Sequence, residues 1–526
     1  MNHRFSKATL LFCALQVLLL IVVGAWIFQQ NQPTTLVSPQ LHNGKLQCVS
    51  YSPYYGKNQT PLVPTTRISR EQIDADLEKL ATITDCIRTY SVSQGMDYVP
   101  EAAQKLGLKV YLGVWIGWVD KLNQTEIALA TNVANAHPNT VKALVVGNEV
   151  LLRGEQAEAA MQRYIQMTRK KTNVKITYAD VWEFWKKHRG MEQHVDFITV
   201  HILPYWEDHP LAIDQAVTHT TNVMAELQQV FSKPILIGET GWPSVGRQRF
   251  ESSPSLVNQA KYIREFLHTA QEKNWQYNVI EAIDQPWKRT LEGTVGGYWG
   301  IFSPDFTPKF SLTAPVSNRN DGLKPVYFAL MGAALWLALA RTKNETRQPV
   351  RIALAVLGAS TGLIALLQWD YLVTACRDSL EWFALGGVAL VGWLVIAAQP
   401  WAINKIAMHQ ATRKDCDSLV RYGLIILILA SAISSYLIFT DGRYRDFPNL
   451  LFILPAAVLL IYRACGLSTI QNFAYLVLSI FAAVLAWLCL QLEPNNISAM
   501  FWLVIQGLLV FACVPKKSNS LKSPNH

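Results

Sequence analysis

Charged residues are scarce in this chain, and the scarcity is uneven along its length. Asp, Glu, Lys and Arg make up 16% of the 526 residues, against roughly a quarter in ordinary soluble proteins. Residues 326–514 contain long runs with almost no charge, whereas residues 31–322 have the mixed composition of a soluble domain. This distribution excludes a chain that is soluble throughout, and it predicts a folded domain joined to membrane segments.

Cysteine is also sparse in the soluble part, and familiar cofactor motifs are missing. Only Cys48 and Cys86 lie between residues 31 and 322, where they form either a disulfide or two buried thiols. No Cys-x-x-Cys and no His/Cys cluster of metal-binding spacing occurs, so we predict neither a metal nor another cofactor. No Gly-x-Gly-x-x-Gly follows the first predicted strand, which gives a dinucleotide-binding fold little support.

Eight apolar runs have about the length that a bilayer requires. The first, residues 10–28, ends without a small-residue cleavage site, so we predict an uncleaved anchor and not a signal peptide. The other seven cover residues 326–340, 352–367, 380–398, 422–439, 450–462, 473–490 and 497–514. The runs at 326–340 and 450–462 are shorter than the roughly 20 residues that a span prefers.

The lysines and arginines between these runs predict a topology. With a cytoplasmic amino terminus, nearly all basic loop residues of the membrane half, and those of the tail at 515–526, fall on the cytoplasmic side. The expected domains are a cytoplasmic amino terminus with an anchor (1–30), a soluble domain (31–322), a bundle of about seven spans (323–514) and a basic cytoplasmic tail (515–526). We therefore expect an integral protein of the plasma (inner) membrane, with the soluble domain periplasmic or extracellular.

This topology also accounts for most of the net charge. The formal charge of +9 follows largely from the basic loops, so no nucleic-acid partner is predicted. The predicted spans contain few charges, which argues against an ion or proton pathway. We interpret the bundle as an anchor in the lipid bilayer or as a docking surface.

The soluble domain alternates apolar strands with amphipathic helices. Eight strand–helix units predict a (β/α)₈ TIM barrel, with a doubly wound sheet as the alternative. The predicted strands are residues 46–52, 85–90, 108–115, 141–149, 175–181, 196–204, 234–241 and 277–285. An all-α transmembrane bundle follows this barrel.

Two glutamates carry the functional signal because each ends a predicted strand. Glu149 follows Val145-Val146-Gly147-Asn148, and Glu239 follows Ile235-Leu236-Ile237-Gly238. Active sites of TIM barrels lie at the carboxyl ends of the strands, and glycosidic bonds are cleaved by paired carboxylates. A glutamate after a strand is also a common solvated loop residue, but the pair, with Gly-Trp-Pro after Glu239, favours a catalytic site.

Aromatic and polar residues accompany the carboxylates at the other strand ends. Such a rim suits sugars, because sugar C–H faces stack on aromatic rings and hydroxyls bond polar groups. We expect about half of these aromatics to pack the barrel mouth instead. The substrate-binding candidates are Tyr51, Tyr54, Arg88, Tyr90, Trp115, Asn148, His201, Tyr205, Trp242, Asp284 and Trp287.

These motifs resemble glycoside hydrolase family 17, the β-1,3-glucanase family of retaining (β/α)₈ barrels. The segments Gly147-Asn148-Glu149-Val150 and Gly238-Glu239-Thr240-Gly241-Trp242-Pro243-Ser244 are similar to the family's general acid and nucleophile segments. Tyr51-Ser52-Pro53-Tyr54 and Glu281–Lys288 are similar to the bacterial branch, whose membrane-bound members resemble β-glucan synthases and glucanosyltransferases. The resemblance covers roughly residues 45–312.

The resemblance implies a mechanism with two outcomes. Glu149 would be the general acid/base and Glu239 the nucleophile that forms a glycosyl-enzyme. Asn148 would bond the sugar 2-hydroxyl, Tyr205 would orient Glu239, and Trp287 would support the reacting ring. Attack by a sugar would lengthen or branch a β-linked glucan, and attack by water would make the protein a plain endo-β-1,3-glucanase. A catalytically silent scaffold beside a glucan synthase, a partner implied only by the resemblance, is a further alternative that both retained carboxylates disfavour.

Overall fold

The computed structural model describes residues 7–340, 348–407, 413–464 and 473–514. The described chain forms two compact units. One is Pro33–Val316, and the other combines the described residues of Met1–Gln32 and Ser317–His526. The basic tail predicted at 515–526 and several of the basic residues that predicted the topology lie outside the described residues.

Pro33–Val316 is a closed barrel of eight parallel strands in sequence order. The (β/α)₈ prediction is therefore confirmed. The strands are β1 Val49–Ser50, β2 Cys86–Arg88, β3 Lys109–Val114, β4 Val141–Asn148, β5 Lys175–Val181, β6 Ile198–His201, β7 Ile235–Thr240 and β8 Gln276–Val279. Most of their residues are buried, as both faces of a parallel barrel require.

Helices surround the barrel and bury one apolar face each. After α1 (Lys7–Gln30) of the other unit, they are α2 Arg70–Leu80, α3 Val99–Lys105, α4 Asp120–Ala136, α5 Glu158–Arg169, α6 Trp182–Lys187, α7 Ile213–Val230, α8 Leu256–Glu272 and α9 Arg289–Gly296. The side chain of Ser69 caps α2 and that of Ser255 caps α8, each accepting a backbone N–H bond in the first turn. The sequence predicts helices over residues 70–82, 125–137, 156–172, 212–231 and 256–274, and these ranges coincide with α2, α4, α5, α7 and α8. None of them covers α3, α6 or α9.

Several strands are shorter than predicted. The eighth ends at Val279 and not at residue 285, because the chain then leaves the ladder for isolated contacts. Ala282 donates to Ser50, and Ile283 forms a bridge with Phe302. The apolar run beyond Val279 is therefore buried mouth structure and not strand.

A disulfide joins Cys48, just before β1, to Cys86 in β2. The sequence is compatible with either a disulfide or two free thiols at these positions, and the structure contains the disulfide. They belong to a buried layer inside the barrel with Tyr111, Ala143, Ala179 and Leu236. The bond closes a loop of 38 residues between two neighbouring strands.

The second unit is helical. After α1 it contains α10 Lys324–Leu339, α11 Gln348–Ala375, α12 Ser379–Ala407, α13 Arg413–Thr440, α14 Asn449–Ala464, α15 Phe473–Leu492 and α16 Ile497–Cys513. Each of the eight predicted spans falls on one of these eight helices. Four have segments long and apolar enough to cross a membrane: Gln348–Ala375, Ser379–Pro400, Arg421–Thr440 and Phe473–Leu492. The other four predicted spans fall on shorter apolar helical segments.

The first and last residues of the barrel unit lie next to each other. Thr34 and Val316 pair in an antiparallel bridge, with N–H···O distances of 2.8 and 3.0 Å in the two directions. The chain thus enters and leaves the barrel at one place.

Candidate active site

Glu239 and Glu149 lie at the same end of the barrel, as the parallel strands require. Glu239 is the second-last residue of β7, and Glu149 directly follows β4. One carboxylate oxygen of each, together with a ring nitrogen of His201, lies within 4.8 Å of the others. The structure therefore brings together the two glutamates that the sequence singled out.

The backbone at Glu149 has an unusual conformation that aims its side chain. Glu149 has φ of 51° and Gly147 has φ of 85°, a left-handed region that is costly for a glutamate. A Cβ on Gly147 would lie 2.7 Å from Met161 Cε and 2.9 Å from Val150 Cγ2. The Glu149 N–H donates to Ala179 on β5 at 2.8 Å, which helps to hold the turn.

Glu239 is held by two donors, the buried Arg88 and the half-buried Tyr90. Arg88 Nη1 lies 3.0 Å and the Tyr90 hydroxyl 2.9 Å from Glu239 Oε1. Arg88 is 1% exposed and Glu239 is 5% exposed, so the ion pair is screened from water. Burial, and then the charge of Glu239, raises the pKa of Tyr90 well above its ordinary value. Tyr90 is therefore a neutral hydroxyl that donates to the Glu239 carboxylate.

Arg88 also reaches the other half of the site. Its Nη1 donates to the Gly238 carbonyl at 2.7 Å, and its Nη2 donates to Asn148 Oδ1 at 2.5 Å. A Cβ on Gly238 would lie 2.3 Å from Thr199 Cγ2, so this strand position accommodates only glycine. One guanidinium thus positions both Glu239 and the residue before Glu149.

His201 lies between the two glutamates. Its Nδ1 is 2.8 Å from Glu149 Oε1, and its Nε2 is 3.6 Å from Glu239 Oε1. Burial raises the pKa of Glu149, but the hydrogen bond and charge of His201 and the charges of Arg153 and Arg88 outweigh it, so the pKa lies below its ordinary value. The imidazole is a hydrogen-bonding partner of the catalytic candidates.

A second set of ionisable groups faces the pair from the segment after β8. Burial raises the pKa of Glu292 to about 7, and the charges of Glu149 and Glu239 act in the same direction. Burial raises the pKa of Glu281 to about 7 despite Lys288, whose Nζ lies 3.1 Å from its carboxylate. Glu292 lies on α9, which the sequence pattern does not predict, and Lys288 is marked in the sequence only as part of the segment Glu281–Lys288.

The predicted aromatic rim divides into accessible and buried residues. Trp115 is 41% exposed and Trp118 is 70% exposed. Arg153 lies over the Trp115 ring, 4.7 Å from its centroid, and donates to the Asn148 carbonyl at 2.5 Å. Trp287 is half-buried, and its Nε1 donates to Gln285 at 2.8 Å. Trp115 and Trp118 thus present accessible ring surface, and Arg153 connects Trp115 to the residue before Glu149.

Other substrate-binding candidates are used inside the protein, which corrects their assignment. Tyr51, Tyr205 and Trp242 are 0% exposed, so they support the barrel mouth and do not face a ligand. The Tyr51 hydroxyl donates to Asp76 at 2.9 Å, and that of Tyr205 donates to the Arg247 carbonyl at 2.6 Å.

Two further candidates are also buried, and one predicted role moves to other residues. Tyr54 donates to Gln94 at 2.7 Å, and Asp284 pairs with Lys309 at 2.8 Å. Tyr205 was expected to orient Glu239, but Arg88 and Tyr90 supply those hydrogen bonds.

The two carboxylates and the imidazole of the site could also hold a metal ion. Glu149, His201 and Glu239 offer one atom each at suitable separations. The Arg88 guanidinium already places a positive charge 3.0 Å from Glu239 Oε1, where a cation would otherwise neutralise the carboxylates. The donor set therefore fits an acid–base site better than a metal centre.

Comparison with known proteins gives a consistent set of similarities. Residues 48–300 match the family model described as the BtgE/BtgC glycoside hydrolase domain. A glucan 1,3-beta-glucosidase of Arthroderma benhamiae is 24% identical over 266 residues, which are 47% of this chain and 86% of that protein. A glucan 1,3-beta-glucosidase of Schizosaccharomyces pombe is 27% identical over 256 residues, 45% of this chain and 79% of that protein.

Solved structures with a similar fold are also found. A glycoside hydrolase family 17 β-1,3-glucanosyltransferase from Rhizomucor miehei is 26% identical, with a TM-score of 0.44, and the match covers 51% of this chain and 97% of that one.

Proposed function

We propose that the protein acts on O-glycosyl bonds and cleaves and transfers β-1,3-glucan chains through a glycosyl-enzyme. The match of residues 48–300 to the model of the BtgE/BtgC glycoside hydrolase domain supports this class of reaction. The relatives named as glucan 1,3-beta-glucosidases support the substrate. The observation that carries the proposal is the pair Glu149 and Glu239, set at the ends of β4 and β7.

The separation of the carboxylates supports retention of configuration. Retaining glycosidases hold their two carboxyl groups about 5–5.5 Å apart, whereas inverting enzymes need about 6.5–9.5 Å to admit a water. Oxygens of Glu149 and Glu239 lie within 4.8 Å of each other, which favours the retaining class. Glu239 is the nucleophile in this assignment, because the hydrogen bonds from Arg88 and Tyr90 fix its carboxylate in place.

Glu149 then acts as acid and afterwards as base. In the first step the glycosidic C1–O bond breaks, Glu239 bonds to C1, and a proton passes to the leaving oxygen. The pKa of Glu149 lies below its ordinary value in the free site, so we assign the transferable proton to the hydrogen-bonded pair of Glu149 and His201. In the second step the pair removes a proton from the acceptor hydroxyl, whose oxygen bonds to C1 as the bond between C1 and Glu239 breaks.

The acceptor side is expected to lie near Trp115. The acid/base residue faces the leaving group, and Arg153 joins the Trp115 ring to the Asn148 carbonyl beside Glu149. A sugar stacked on Trp115 and Trp118 would have a high effective concentration at the glycosyl-enzyme. This favours transfer to a sugar over hydrolysis.

We further propose that the helical unit anchors the enzyme in the plasma (inner) membrane with the barrel outside the cytoplasm. Four helical segments that could cross a bilayer support the anchor. The Cys48–Cys86 disulfide supports the sidedness, because such bonds persist in oxidising compartments. An anchored transferase suits the building or remodelling of a nascent glucan, with a glucan synthase as a candidate partner.

Product analysis tests this function. The full-length protein in detergent is incubated with short β-1,3-linked oligosaccharides, and product lengths are followed with time. Longer and shorter products should form together, with retained anomeric configuration. Only shorter products, even at high acceptor concentration, would show a membrane-held glucanase.

Two variants separate the roles of the glutamates. Glu239→Ala should abolish turnover. Glu149→Ala should lose about 10²- to 10⁴-fold in rate and regain activity with azide, which needs no base. Glu272→Ala, at an exposed position on α8, is the matched control and should behave as wild type. Full activity of Glu239→Ala would end the proposal.

A further inference from the structure

A cavity of about 660 Å³ opens at the end of the barrel opposite the glutamates. It lies at the amino-terminal ends of β3 to β8, and its size is that of a small-molecule site. No step of the glycosidase mechanism uses this end. Residues at this end of a TIM barrel normally serve stability, but the side chains around this cavity are not all accounted for by packing.

The inner wall combines aromatic rings with an unused hydroxyl. Tyr111 and Phe197 pack edge to face with centroids 6.3 Å apart, and small residues, Ala143 and Ala179, belong to the same interior layer. Tyr111 is 7% exposed, and within the part of the chain that the structure describes its hydroxyl makes no hydrogen bond. A hydroxyl at a cavity wall that has no partner within the described protein is a group that a ligand can satisfy.

The mouth of the cavity is positively charged. Lys142 on β4 and Lys175 on β5 line it, and neither ammonium has a carboxylate partner among the described residues. The Lys142 Nζ lies 4.9 Å from the centroid of the Tyr111 ring. Asp196, the acidic residue of the lining, is already bonded to Arg169 at 3.1 Å and to the Ile176 N–H at 2.6 Å.

We propose that this cavity binds a small phosphorylated sugar. The phosphate would lie between Lys142 and Lys175, since paired cations without carboxylates select an anion. Sugar hydroxyls would bond the Tyr111 hydroxyl and the amide of Gln276, and the ring would pack on Phe197. An uncharged glucan segment would gain nothing from the charge of the two exposed ammonium groups, so the anionic ligand is the better match.

Calorimetry on the full-length protein in detergent tests this site. The probe is α-D-glucose 1-phosphate, with inorganic phosphate and glucose titrated separately. The sugar phosphate should bind about tenfold or more tightly than either part, as expected when two sets of contacts combine. Equal affinity for inorganic phosphate would overturn the sugar assignment, and no detectable binding of the sugar phosphate would overturn the site.

Variants locate the binding and exclude the catalytic cleft. Tyr111→Phe removes one hydrogen bond and should weaken binding about three- to tenfold, and the double change Lys142→Ala/Lys175→Ala should remove most of it. Lys121→Ala, on the exposed first turn of α4, is the matched control.

The Glu239→Gln protein should bind the sugar phosphate as wild type does, and laminaritriose should not displace it. All the cavity variants should keep wild-type rates on β-1,3-linked oligosaccharides, which also shows that they fold. Displacement by laminaritriose, or undiminished binding by the lysine variant, would place the ligand in another site and refute the proposal.

Discussion

Arg88 and Glu239 form a buried ion pair, with 3.0 Å between Nη1 and Oε1 and almost no solvent exposure of either side chain. A pair of this kind is costly to break because the remaining charge stays desolvated. Its importance here is positional as well, since the same guanidinium also bonds the Gly238 carbonyl and Asn148.

Replacing Arg88 should damage both stability and activity. Arg88→Ala leaves Glu239 as an unpaired buried carboxylate, and we expect a loss of about 3–5 kcal/mol in unfolding free energy. Arg88→Lys keeps the charge but cannot make the three bonds together, so activity should fall while most stability is kept. Thermal melting and cleavage rates of the full-length protein measure both effects.

Arg169 provides the control for this experiment. Its pair with Asp196 is partly exposed, and Arg169→Ala should cost less than about 1 kcal/mol. If the two arginine variants melt alike, the buried pair does not have the role assigned to it.

The left-handed turn before Glu149 can be tested with two glycines. Gly147→Ala should lower stability and cleavage rate, because it adds a strained φ and contacts to Met161 and Val150 below 3 Å. Gly107 also has positive φ, 71°, but open space around its Cβ position, so Gly107→Ala should cost only about 1 kcal/mol. Equal melting temperatures for the two variants would show that crowding at Gly147 is unimportant.

Glu292 should make stability depend on pH. Its pKa rises from 4.5 to about 7 in the folded protein, so the folded state binds more protons than the unfolded state between these values. Stability from this group is therefore present below pH 4.5 and is lost as pH rises towards 7.

The Glu292→Gln variant removes this dependence and tests it. Its melting temperature should fall less than that of wild type between pH 4.5 and 7. If the melting temperatures of the variant and of wild type change equally with pH across this range, the assigned pKa shift is contradicted.

Removing the Cys48–Cys86 bond should destabilise the barrel. A closed loop of 38 residues corresponds to about 4 kcal/mol of chain entropy in the unfolded state at 25 °C. The double variant Cys48→Ser/Cys86→Ser should melt at a lower temperature than wild type, and a reducing agent should lower the wild-type value in the same way. Cys489→Ser replaces a buried cysteine of the helical unit and is the control, whose melting should stay sensitive to reductant.

The catalytic candidates could be predicted because their signals are local. A glutamate directly after an apolar strand must emerge at the barrel mouth, and two of them on parallel strands emerge at the same mouth. The strand bounds were less predictable. The apolar run after Val279 has strand composition, but its hydrogen bonds go to isolated partners such as Ser50 and Phe302.

The supporting residues could not be assigned from sequence for a different reason. Arg88 and Tyr205 are both polar groups near strand ends, and only packing decides which one reaches Glu239. Arg88 points into the barrel and Tyr205 packs among Trp206, Trp242 and Trp299. Glu292 depends on α9, a short helix that begins at Arg289 after an irregular segment, so no periodic pattern marked it.

The bridge between Thr34 and Val316 has a consequence for how such a protein can be assembled. A domain whose first and last residues are adjacent can be inserted into a host chain through two neighbouring peptide junctions, without stretching either partner. The barrel can therefore be transferred between host chains as one unit. Exchanging residues 34–316 for another barrel with equally close ends should change the chemistry while the host helices keep their own packing.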